Sequence, residues 1–568
     1  MKEMSDTVRG IVFVALVIAI TLLWMRFFQP PAPPPQKAGQ PASQTSSAQT
    51  AAPVPAGATQ APSASAPAAP ARIVAVEASA EKSIVVESAL YRVELSNRGG
   101  VVRSWKLKKY FDDQKPPHPL DLVNADASKD LGWPLSLTLA DQQSQQLANA
   151  GLYDVTPDTG DLTAPAEVTF HWSDGHLDVT KKLKFGENYE VSIEASATLD
   201  GKPLAPAIAW RGGFGDKAVY KASQLVNVFY KQGDSLSLLQ YKKLGVSGNQ
   251  SQPAQLAGPL VFTGIEDQFF AAAFIPDGSD ISLWHWTQYH NVTIDNQTSS
   301  EPEAEMAAGA AQPGTLRARV YVGPKDLTLL GKVKPSLEEL VQFGWFGVIA
   351  KPLLFVLQWL HKYVPNYGWS IVVFTLALTM LLLPIRVWTF RSARKMQSVA
   401  PEIKAIQDRY KKYSMRDPRK KKMNEEVMAV YSREGINPVG SCLPMLVQIP
   451  ILIGFYRTLS GAIELRHAPW ILWIHDLSGK DQYYVLPIAM AITTYLMTKM
   501  TPTPATVDPA QQKMMMLMPL MLGFIFFNLS SGLNLYYFAS NVVGVAQQWY
   551  LNRAQPLPSR SKFKKKQE

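Results

Sequence analysis

The sequence predicts a polytopic α-helical membrane protein with six transmembrane helices and a large external all-β sandwich domain. Two observations predict this fold class. Charge is segregated, because the net charge of +10 and the mean hydropathy of -0.05 average over charge-free runs and densely basic segments. In a long stretch after the first apolar run, apolar and polar residues alternate with the period of two that is typical of β-strands. A uniform soluble enzyme would not combine these features.

The N-terminal residues 1–28 are predicted to form a signal-anchor transmembrane helix. The apolar core from Ile11 to Met25 is followed by the bulky sequence RFFQPP, whereas a cleaved signal peptide would have small residues there. Residues 29–72 are rich in proline, alanine, glutamine and serine, and such a composition cannot bury enough apolar surface to fold. They are predicted to form a semi-extended tether.

Residues 73–332 are predicted to form an antiparallel β-sandwich. The period-two pattern recurs in SIVVESALYRVELSNRGGVVRSWKLKKY, HLDVTKKLKF, YEVSIEASATL, SLWHWTQYHNVTI and LRARVYV. A domain of about 260 residues can build its core without disulfides. The single cysteine, Cys442, excludes a disulfide framework, and no phosphate-binding or zinc-protease motif occurs, so no cofactor or metal is predicted.

Residues 335–365 are predicted to form an amphipathic helix in the membrane interface, because Lys351 and Pro352 interrupt an aromatic-rich segment. Four charge-free runs follow, namely 369–385, 436–456, 483–498 and 514–552. The last is about twice the ~20 residues that one span needs, so it is predicted to turn back at Asn528–Gly532. With the anchor these runs give six spans, of which residues 366–555 hold five.

The basic residues indicate the orientation of these spans. They concentrate in a helical hairpin at 387–435 and in the tail 556–568, whereas the short loops on the opposite side are nearly neutral. Positive residues favour the cytoplasmic side, so both termini are predicted to be cytoplasmic and the β domain lies on the other side. The basic residues of the hairpin that are candidates for binding a partner are Arg391, Arg394, Lys395, Lys411, Lys412, Lys420, Lys421 and Lys422. They are either a solvated cytoplasmic face or a docking arm for lipid headgroups or ribosomal RNA.

Polar residues inside the predicted spans are candidates for function, because burying them in lipid is unfavourable. Thr375, Thr379 and Arg386 are spaced by four and seven residues and share a face of one straight helix. Gln448, Tyr536 and Tyr537 are polar residues of other spans. Each has an ordinary structural interpretation, such as back-bonding of threonine to its own helix. Together they predict a hydrated groove that opens to the side of the arginine.

Three long motifs resemble the YidC/Oxa family of membrane protein insertases in its six-span Gram-negative bacterial form. They are INPVGSCLPMLVQIPILIGFYRTL, HAPWILWIHDLSGKDQYYVLPI and DPAQQKMMMLMPLMLGFIFFNLSSGLNLYYFASN, and the resemblance covers about residues 335–555. It implies a five-helix bundle in the bacterial inner membrane with the β domain in the periplasm. It also implies a cytoplasm-open groove that receives nascent membrane proteins and releases them sideways into lipid, alone or with the Sec translocon.

The resemblance further implies that ribosomes and membrane lipids are partners, that no small-molecule substrate is needed, and that the chain is not an enzyme. Thr375, Tyr536 and Tyr537 match family positions. The family's groove arginine usually stands five residues before a proline, which is Pro384 in this chain. Thr379 occupies that position here. Arg386 is therefore either a displaced groove cation or an interfacial anchor.

Two other classes of function make different demands on the sequence. A transporter or channel with an external binding domain would show paired, interrupted helices in two corresponding halves, and none is seen. A carbohydrate-active enzyme in the β domain would need two carboxylates that converge in a cleft. Sequence alone does not show which acids converge.

Overall fold

The computed structural model of the protein describes residues 74–217, 222–247, 250–251, 253–294, 297–413, 417–436, 443–501 and 509–554. The predicted anchor 1–28, tether 29–72 and tail 556–568 lie outside these residues. The chain divides into two compact units. Of the described residues, those up to Asp267 and Ala272–Val322 form the first unit, and Gln268–Ala271 and those from Gly323 onward form the second.

The first unit is built from three main sheets. A five-stranded sheet contains β1 (Ser83–Glu87), β2 (Tyr91–Ser96), β3 (Val101–Phe111), β4 (Pro119–Asp121) and β7 (Asp161–Thr163), in the order β4-β3-β2-β1-β7. A second five-stranded sheet contains β5 (Ser136–Thr138), β12 (Ala207–Trp210), β17 (Ala254–Leu256), β20 (Ile281–Ile294) and β21 (Gln297–Ala310), in the order β17-β20-β21-β12-β5.

The largest sheet has ten strands. They are β6 (Asp154–Thr156), β8 (Ala166–Ser173), β9 (Leu177–Phe185), β10 (Glu190–Leu199), β11 (Lys202–Pro203), β13 (Asn227–Gln232), β14 (Ser235–Gln240), β18 (Phe262–Glu266), β19 (Phe270–Pro276) and β22 (Leu316–Pro324). Their order is β14-β13-β18-β19-β22-β10-β9-β8-β6, with β11 beside β10. A small pair, β15 (Val246–Ser247) and β16 (Gln250–Ser251), stands apart.

The sheets confirm an all-β sandwich but correct one detail of its predicted topology. Strand β7 runs parallel to β1, with Val85 opposite Asp161, whereas β2, the other neighbour of β1, is antiparallel to it. The long chain excursion between these two strands lets β7 return in the same direction and extend the sheet edge. Short helices α1 (Ala125–Leu131), α2 (Gln142–Ala150) and α3 (Ala222–Leu225) interrupt the strands, and Asn124 and Asp141 cap the first two with their side chains.

A cluster of buried aromatic rings joins the three sheets. Tyr91, Trp105, Phe185 and Trp210 come from β2, β3, β9 and β12, and neighbouring ring centroids lie 6.1 to 6.3 Å apart. All four side chains are nearly inaccessible to solvent. Such tilted contacts bury a large apolar area and add pairwise attraction between rings. This cluster is the centre of the core.

The second unit is helical in its described part. Its helices are α4 (Leu327–Lys332), α5 (Gly347–His361), α6 (Tyr367–Leu381), α7 (Leu383–Ser398), α8 (Ala400–Arg409), α9 (Arg419–Arg433), α10 (Leu443–Gly461), α11 (Val485–Met500), α12 (Pro509–Phe526) and α13 (Ser531–Ala554). Helix α5 carries Pro352 inside the predicted interfacial segment. Helices α12 and α13 meet at the predicted Asn528–Gly532 turn.

The predicted span 369–385 is bent. Helix α6 ends at Leu381, α7 begins at Leu383, and the two axes differ by 53°. Pro384 lies in the first turn of α7, where its missing N–H costs no helical hydrogen bond. Among the described helices, this bent pair has the length and apolar composition to cross a bilayer, and none does so alone. The count of six spans stays a prediction.

Helices α8 and α9 pack together in the basic hairpin 387–435, to which the C-terminal part of α7 also belongs. The apolar residues Met396, Val399, Ile403 and Ile406 join a buried cluster with residues of α9. They follow the helical spacing of three and four residues that places side chains on one face. The hairpin therefore has a small core of its own, and its cations lie around that core.

The loop before α11 is held by one buried carboxylate. Asp481 accepts hydrogen bonds from Trp473 Nε1 at 3.0 Å, from the Tyr483 backbone N–H at 3.1 Å and from the Leu486 backbone N–H at 2.7 Å. The last donor belongs to the first turn of α11, whose backbone N–H groups have no helical partner. Asp481 thus fixes both the loop and the start of the helix.

Candidate functional site

The two predicted groove threonines lie in the buried face of α6. Thr375 is inaccessible and Thr379 is 5 % exposed. Thr375 Oγ1 donates to the Ile371 carbonyl at 2.7 Å, and Thr379 Oγ1 donates to the Thr375 carbonyl at 2.8 Å. Both hydroxyl protons are therefore used within the helix, as the ordinary interpretation of such threonines expects. Their oxygen lone pairs remain as acceptors.

The polar residues of α10 and α13 are in direct contact. Gln448 Nε2 donates to the Tyr536 hydroxyl oxygen at 3.3 Å. The Tyr536 ring is buried and stacks on Phe455, with centroids 4.0 Å apart, and Tyr537 stands edge-on to Phe526 at 4.9 Å. Each tyrosine has an apolar body in the packing and a hydroxyl that can exchange hydrogen bonds. The predicted set of Gln448, Tyr536 and Tyr537 is brought together here.

Arg386 reaches α13 from α7. Its Nη1 donates to Gln547 Oε1 at 3.0 Å. A side chain at Gly544 would begin 2.8 Å from the same Nη1 atom, so the glycine leaves the space that the guanidinium fills. Arg386 is half-buried, and within the described residues no carboxylate pairs with it. It is a cation held by an amide.

The straight-helix argument that placed Arg386 on the face of Thr379 is wrong, because the chain bends between the two residues. Thr379 on α6 and Arg386 on α7 nevertheless both lie on helices that contact α13. Helix α6 packs along α13, and Arg386 reaches the following turns of α13. Tyr536 and Gln547 are separated by about 16 Å along that helix at 1.5 Å per residue. Helix α13 is thus the common wall of the candidate site.

Gly544 was not predicted as part of this site. A glycine inside an apolar helix is a signal for close approach, but sequence alone does not say which side chain approaches. The partner comes from a different helix, 158 residues earlier in the chain, and only the fold identifies it.

The basic hairpin residues are mostly exposed. Arg391, Lys395, Lys411, Lys412, Lys421 and Lys422 are exposed, and Lys420 is half-buried. Arg394 differs from them, because its Nη2 donates to Asn552 Oδ1 on α13 at 2.8 Å and its guanidinium lies 5.1 Å from the Phe390 ring. Arg394 therefore attaches the hairpin to the bundle, whereas the others form a cationic surface.

The β domain brings two carboxylates together, but inside the protein. Glu303 and Glu305 are two residues apart on β21, so both side chains lie on the same face of the strand. They are 4 % and 0 % exposed. Glu305 accepts hydrogen bonds from the Gly212 backbone N–H at 2.9 Å and from Gln288 Nε2 at 3.0 Å. Burial raises the pKa of Glu305 to about 7, and burial and then the Glu305 carboxylate raise the pKa of Glu303 to about 8. Substrate could not reach such a pair.

These carboxylates predict how the stability of the β domain varies with pH. Their folded pKa values lie above the ordinary 4.5, so their contribution is complete below pH 4.5 and is lost as pH rises through about 7 and 8. Between pH 5 and pH 9 these two shifts together correspond to a fall in the free energy of unfolding of about 6 kcal/mol. The Glu303→Gln variant should flatten this dependence in hydrogen-exchange measurements of β21.

The matched control is Glu194→Gln, which changes an exposed glutamate of β10. It should keep the pH dependence of the unaltered protein. A Glu303→Gln protein with that same dependence would show that Glu303 ionises freely in the folded state.

Comparison with known proteins identifies the family. The family described as "60Kd inner membrane protein" matches residues 359–558, and that described as "YidC periplasmic domain" matches residues 83–356. A membrane protein insertase YidC of Geobacter sp. (strain M21) is 33 % identical over 491 residues, which cover 83 % of this chain and 86 % of the relative. The membrane protein insertase YidC of Cupriavidus necator is 32 % identical over 567 residues, which cover 96 % of this chain and 98 % of the relative.

Among solved structures, the crystal structure of YidC from Thermotoga maritima covers 82 % of this chain and 99 % of its own, at 14 % identity and a TM-score of 0.27. That score is too low to support an argument. The two matched families and the near full-length relatives suffice, and those relatives are named for insertion of membrane proteins, not for an enzymatic reaction. The chain therefore belongs to the YidC family of membrane protein insertases.

Proposed function

We propose that the helical unit receives nascent membrane proteins in a hydrophilic groove along α13 and releases them sideways into lipid. The observation that carries the proposal is the set of polar contacts on that helix, from the Gln448–Tyr536 hydrogen bond to the Arg386–Gln547 hydrogen bond. Polar groups inside a membrane shorten the apolar distance that a hydrophilic client segment must cross. The apolar segment of the client then partitions into lipid, and no covalent step is needed.

Arg386 is the cation of this groove. It stands in for the arginine that the family usually has at the position of Thr379. Its contact with an amide supports this role, because a neutral partner leaves the positive charge available to an acidic client segment. The space at Gly544 supports it too, because the guanidinium is directed toward the bundle and does not extend along the membrane surface.

The remaining features of the proposal concern partners and topology. The exposed cations of the α8–α9 hairpin suit anionic partners, such as ribosomal RNA at the nascent-chain exit and lipid headgroups. The excess of basic residues in this hairpin supports cytoplasmic termini and six spans. Action beside the Sec translocon follows from the family resemblance.

Complementation of a strain depleted of its own insertase tests the role of Arg386. We expect Arg386→Ala to slow insertion of a client with an acidic N-terminal tail about tenfold, which corresponds to ~1.4 kcal/mol. Arg386→Lys should retain part of the activity, because it keeps the charge without the planar fork. Thr379→Arg in the Arg386→Ala background should restore insertion, because it returns a cation to the groove.

Arg457→Ala is the matched control, because it removes an exposed arginine of α10 that belongs neither to the contacts of Arg386 nor to the basic hairpin. Membrane levels of each variant, measured by immunoblot, separate loss of function from loss of the protein. Full insertion activity of Arg386→Ala, at normal protein level, would contradict the assignment and leave Arg386 as an interfacial anchor. Photocrosslinking of a stalled client to positions 379, 386 and 537 tests the groove itself, because absence of crosslinks there would contradict it.

A further inference from the structure

The β domain contains a groove that the insertion function does not use. It consists of two adjoining cavities of about 730 and about 550 Å³ that share Gln142, Gln145 and Arg211 in their walls. We call them together the β-domain groove. Volumes of this size are those of ligand sites for small molecules. All residues that line it belong to the first unit.

One wall of the groove is a stripe of amides. Helix α2 presents Gln142, Gln145, Gln146 and Asn149 to the cavities, at the i, i+3, i+4, i+7 spacing of a single helix face. Asn149 is engaged, because it exchanges two hydrogen bonds with the backbone of Leu137. Gln142 and Gln146 are exposed to the cavities. The buried face of α2 is that of Ser144 and Ala148, so the exposed glutamines remain available for hydrogen bonds with a polar ligand in the cavities.

The facing walls carry indole rings and arginines. Trp284 lies against the sheet, where a side chain at Gly309 would begin 2.6 Å from its ring, and the Arg103 guanidinium lies 4.4 Å from the Trp133 ring. Small residues on the sheet thus let one indole form part of the cavity floor. Flat aromatic faces carry partial negative charge, which attracts polarised C–H groups.

The charges around the groove have one sign. Of the described residues that line it, the charged ones are Arg98, Arg103 and Arg211, and no carboxylate is among them. Glu81 pairs with both Arg98 and Arg103, and the buried Glu305 acts electrostatically on Arg211, so three cations share two carboxylates. The groove therefore keeps a positive excess, which favours an anionic ligand.

One polar group in the wall has no partner. Ser136 is 5 % exposed, and in the described part of the chain its hydroxyl makes no hydrogen bond. A buried polar atom without a partner is costly unless a ligand or water satisfies it. The oxygen is covered by its neighbours in the wall that also holds Arg103 and Trp133, so a ligand in the cavity does not contact it directly.

We propose that the β-domain groove binds an anionic glycan, namely a pyranose chain that carries carboxylates. Side-chain amides can donate to one hydroxyl of a sugar and accept from the next. Indole faces cover the C–H face of a pyranose ring, and arginine forks bind carboxylates with two parallel hydrogen bonds. The proposal departs from the expectation that no small molecule is bound, and it is independent of the proposed insertion activity.

Isothermal titration of the full-length protein in detergent micelles tests the proposal. The probes are the disaccharide N-acetylglucosaminyl-N-acetylmuramic acid, which carries a carboxylate, and chitobiose, which has similar rings without one. We expect saturable binding of the first with millimolar or tighter Kd, and about tenfold weaker binding of the second. The double variant Gln142→Ala, Gln146→Ala should weaken binding of the acidic disaccharide at least about tenfold.

Gln143→Ala is the matched control, because Gln143 is exposed on α2 but does not line the groove. It should bind as the unaltered protein does. Equal binding of both disaccharides would overturn the anionic class of ligand. Binding of neither, or binding that survives the double variant, would overturn the site, and so would preferential binding of an unfolded acidic peptide.

Discussion

Replacing Lys181 by alanine is expected to unfold the β domain or to lower its stability severely. Lys181 on β9 is 1 % exposed, and its Nζ donates to the carbonyl oxygens of Gly99 at 2.7 Å, Gly100 at 3.3 Å and Leu135 at 2.9 Å. Burial lowers the pKa of Lys181 to about 7, while three carbonyl acceptors match the three protons of the ammonium form. One cation therefore ties the β2–β3 turn and the start of β5 to the large sheet.

The alanine variant leaves three buried carbonyl oxygens without a donor and a cavity in place of the side chain. We expect a loss of about 3 kcal/mol or more in the free energy of unfolding. Hydrogen exchange of the full chain, read from peptides that cover Leu177–Phe185, measures the loss. The matched control is Lys182→Ala, because Lys182 points to the other face of β9 and pairs with Glu167 at the surface. Unchanged protection of β9 in Lys181→Ala would contradict the assignment.

The second large effect is expected at Asp481. Asp481→Ala removes the acceptor of an indole N–H and of two backbone N–H groups from a site that is 2 % exposed. The stranded donors should cost about 3 kcal/mol, and the first turn of α11 should fray. We expect low protein levels in membranes and faster hydrogen exchange at the start of α11.

The Asp481→Asn variant tests how much of that loss comes from the missing acceptor oxygens. The amide keeps one acceptor oxygen but presents an NH₂ group to the other donors, so it should rescue only in part. Asp408→Ala changes an exposed aspartate of α8 and serves as the control. Normal membrane levels and unaltered exchange in Asp481→Ala would show that Trp473 and Leu486 find other acceptors.

Much of the β domain was predictable because apolar and polar residues alternate along its strands. Strands β1, β9 and β10 fall within the predicted alternating stretches, and β20 and β22 overlap two others almost completely. Strand β21 was not predicted, and its sequence QTSSEPEAEMAAGA has the composition of a loop or helix. Glu305 is buried with donors from elsewhere in the chain, namely the Gly212 backbone N–H after β12 and the side chains of Trp286 and Gln288 on β20. Tertiary partners decide that strand, and local propensity does not.

The candidate site was predictable as a set of residues and unpredictable as a geometry. Polar residues in apolar runs drew attention to Gln448, Tyr536 and Arg386, and the structure places each of them on α13 or in contact with it. The bend after Leu381 and the role of Gly544 were missed, because a proline near a helix end does not fix a bend angle and a glycine does not name its neighbour. The β-domain groove was also missed, since its amides and tryptophans are distant in sequence.

The junction between α7 and α13 does not depend on a titratable partner. It consists of two arginine–amide contacts, Arg386 with Gln547 and Arg394 with Asn552. Arginine keeps its proton at any physiological pH and an amide does not titrate, so acidification breaks neither contact. Dissolved salt screens a charge–charge pair more strongly than a hydrogen bond between a charge and a neutral dipole. The attachment of the basic hairpin to the bundle should therefore tolerate changes of pH and ionic strength that would loosen a junction built from salt bridges.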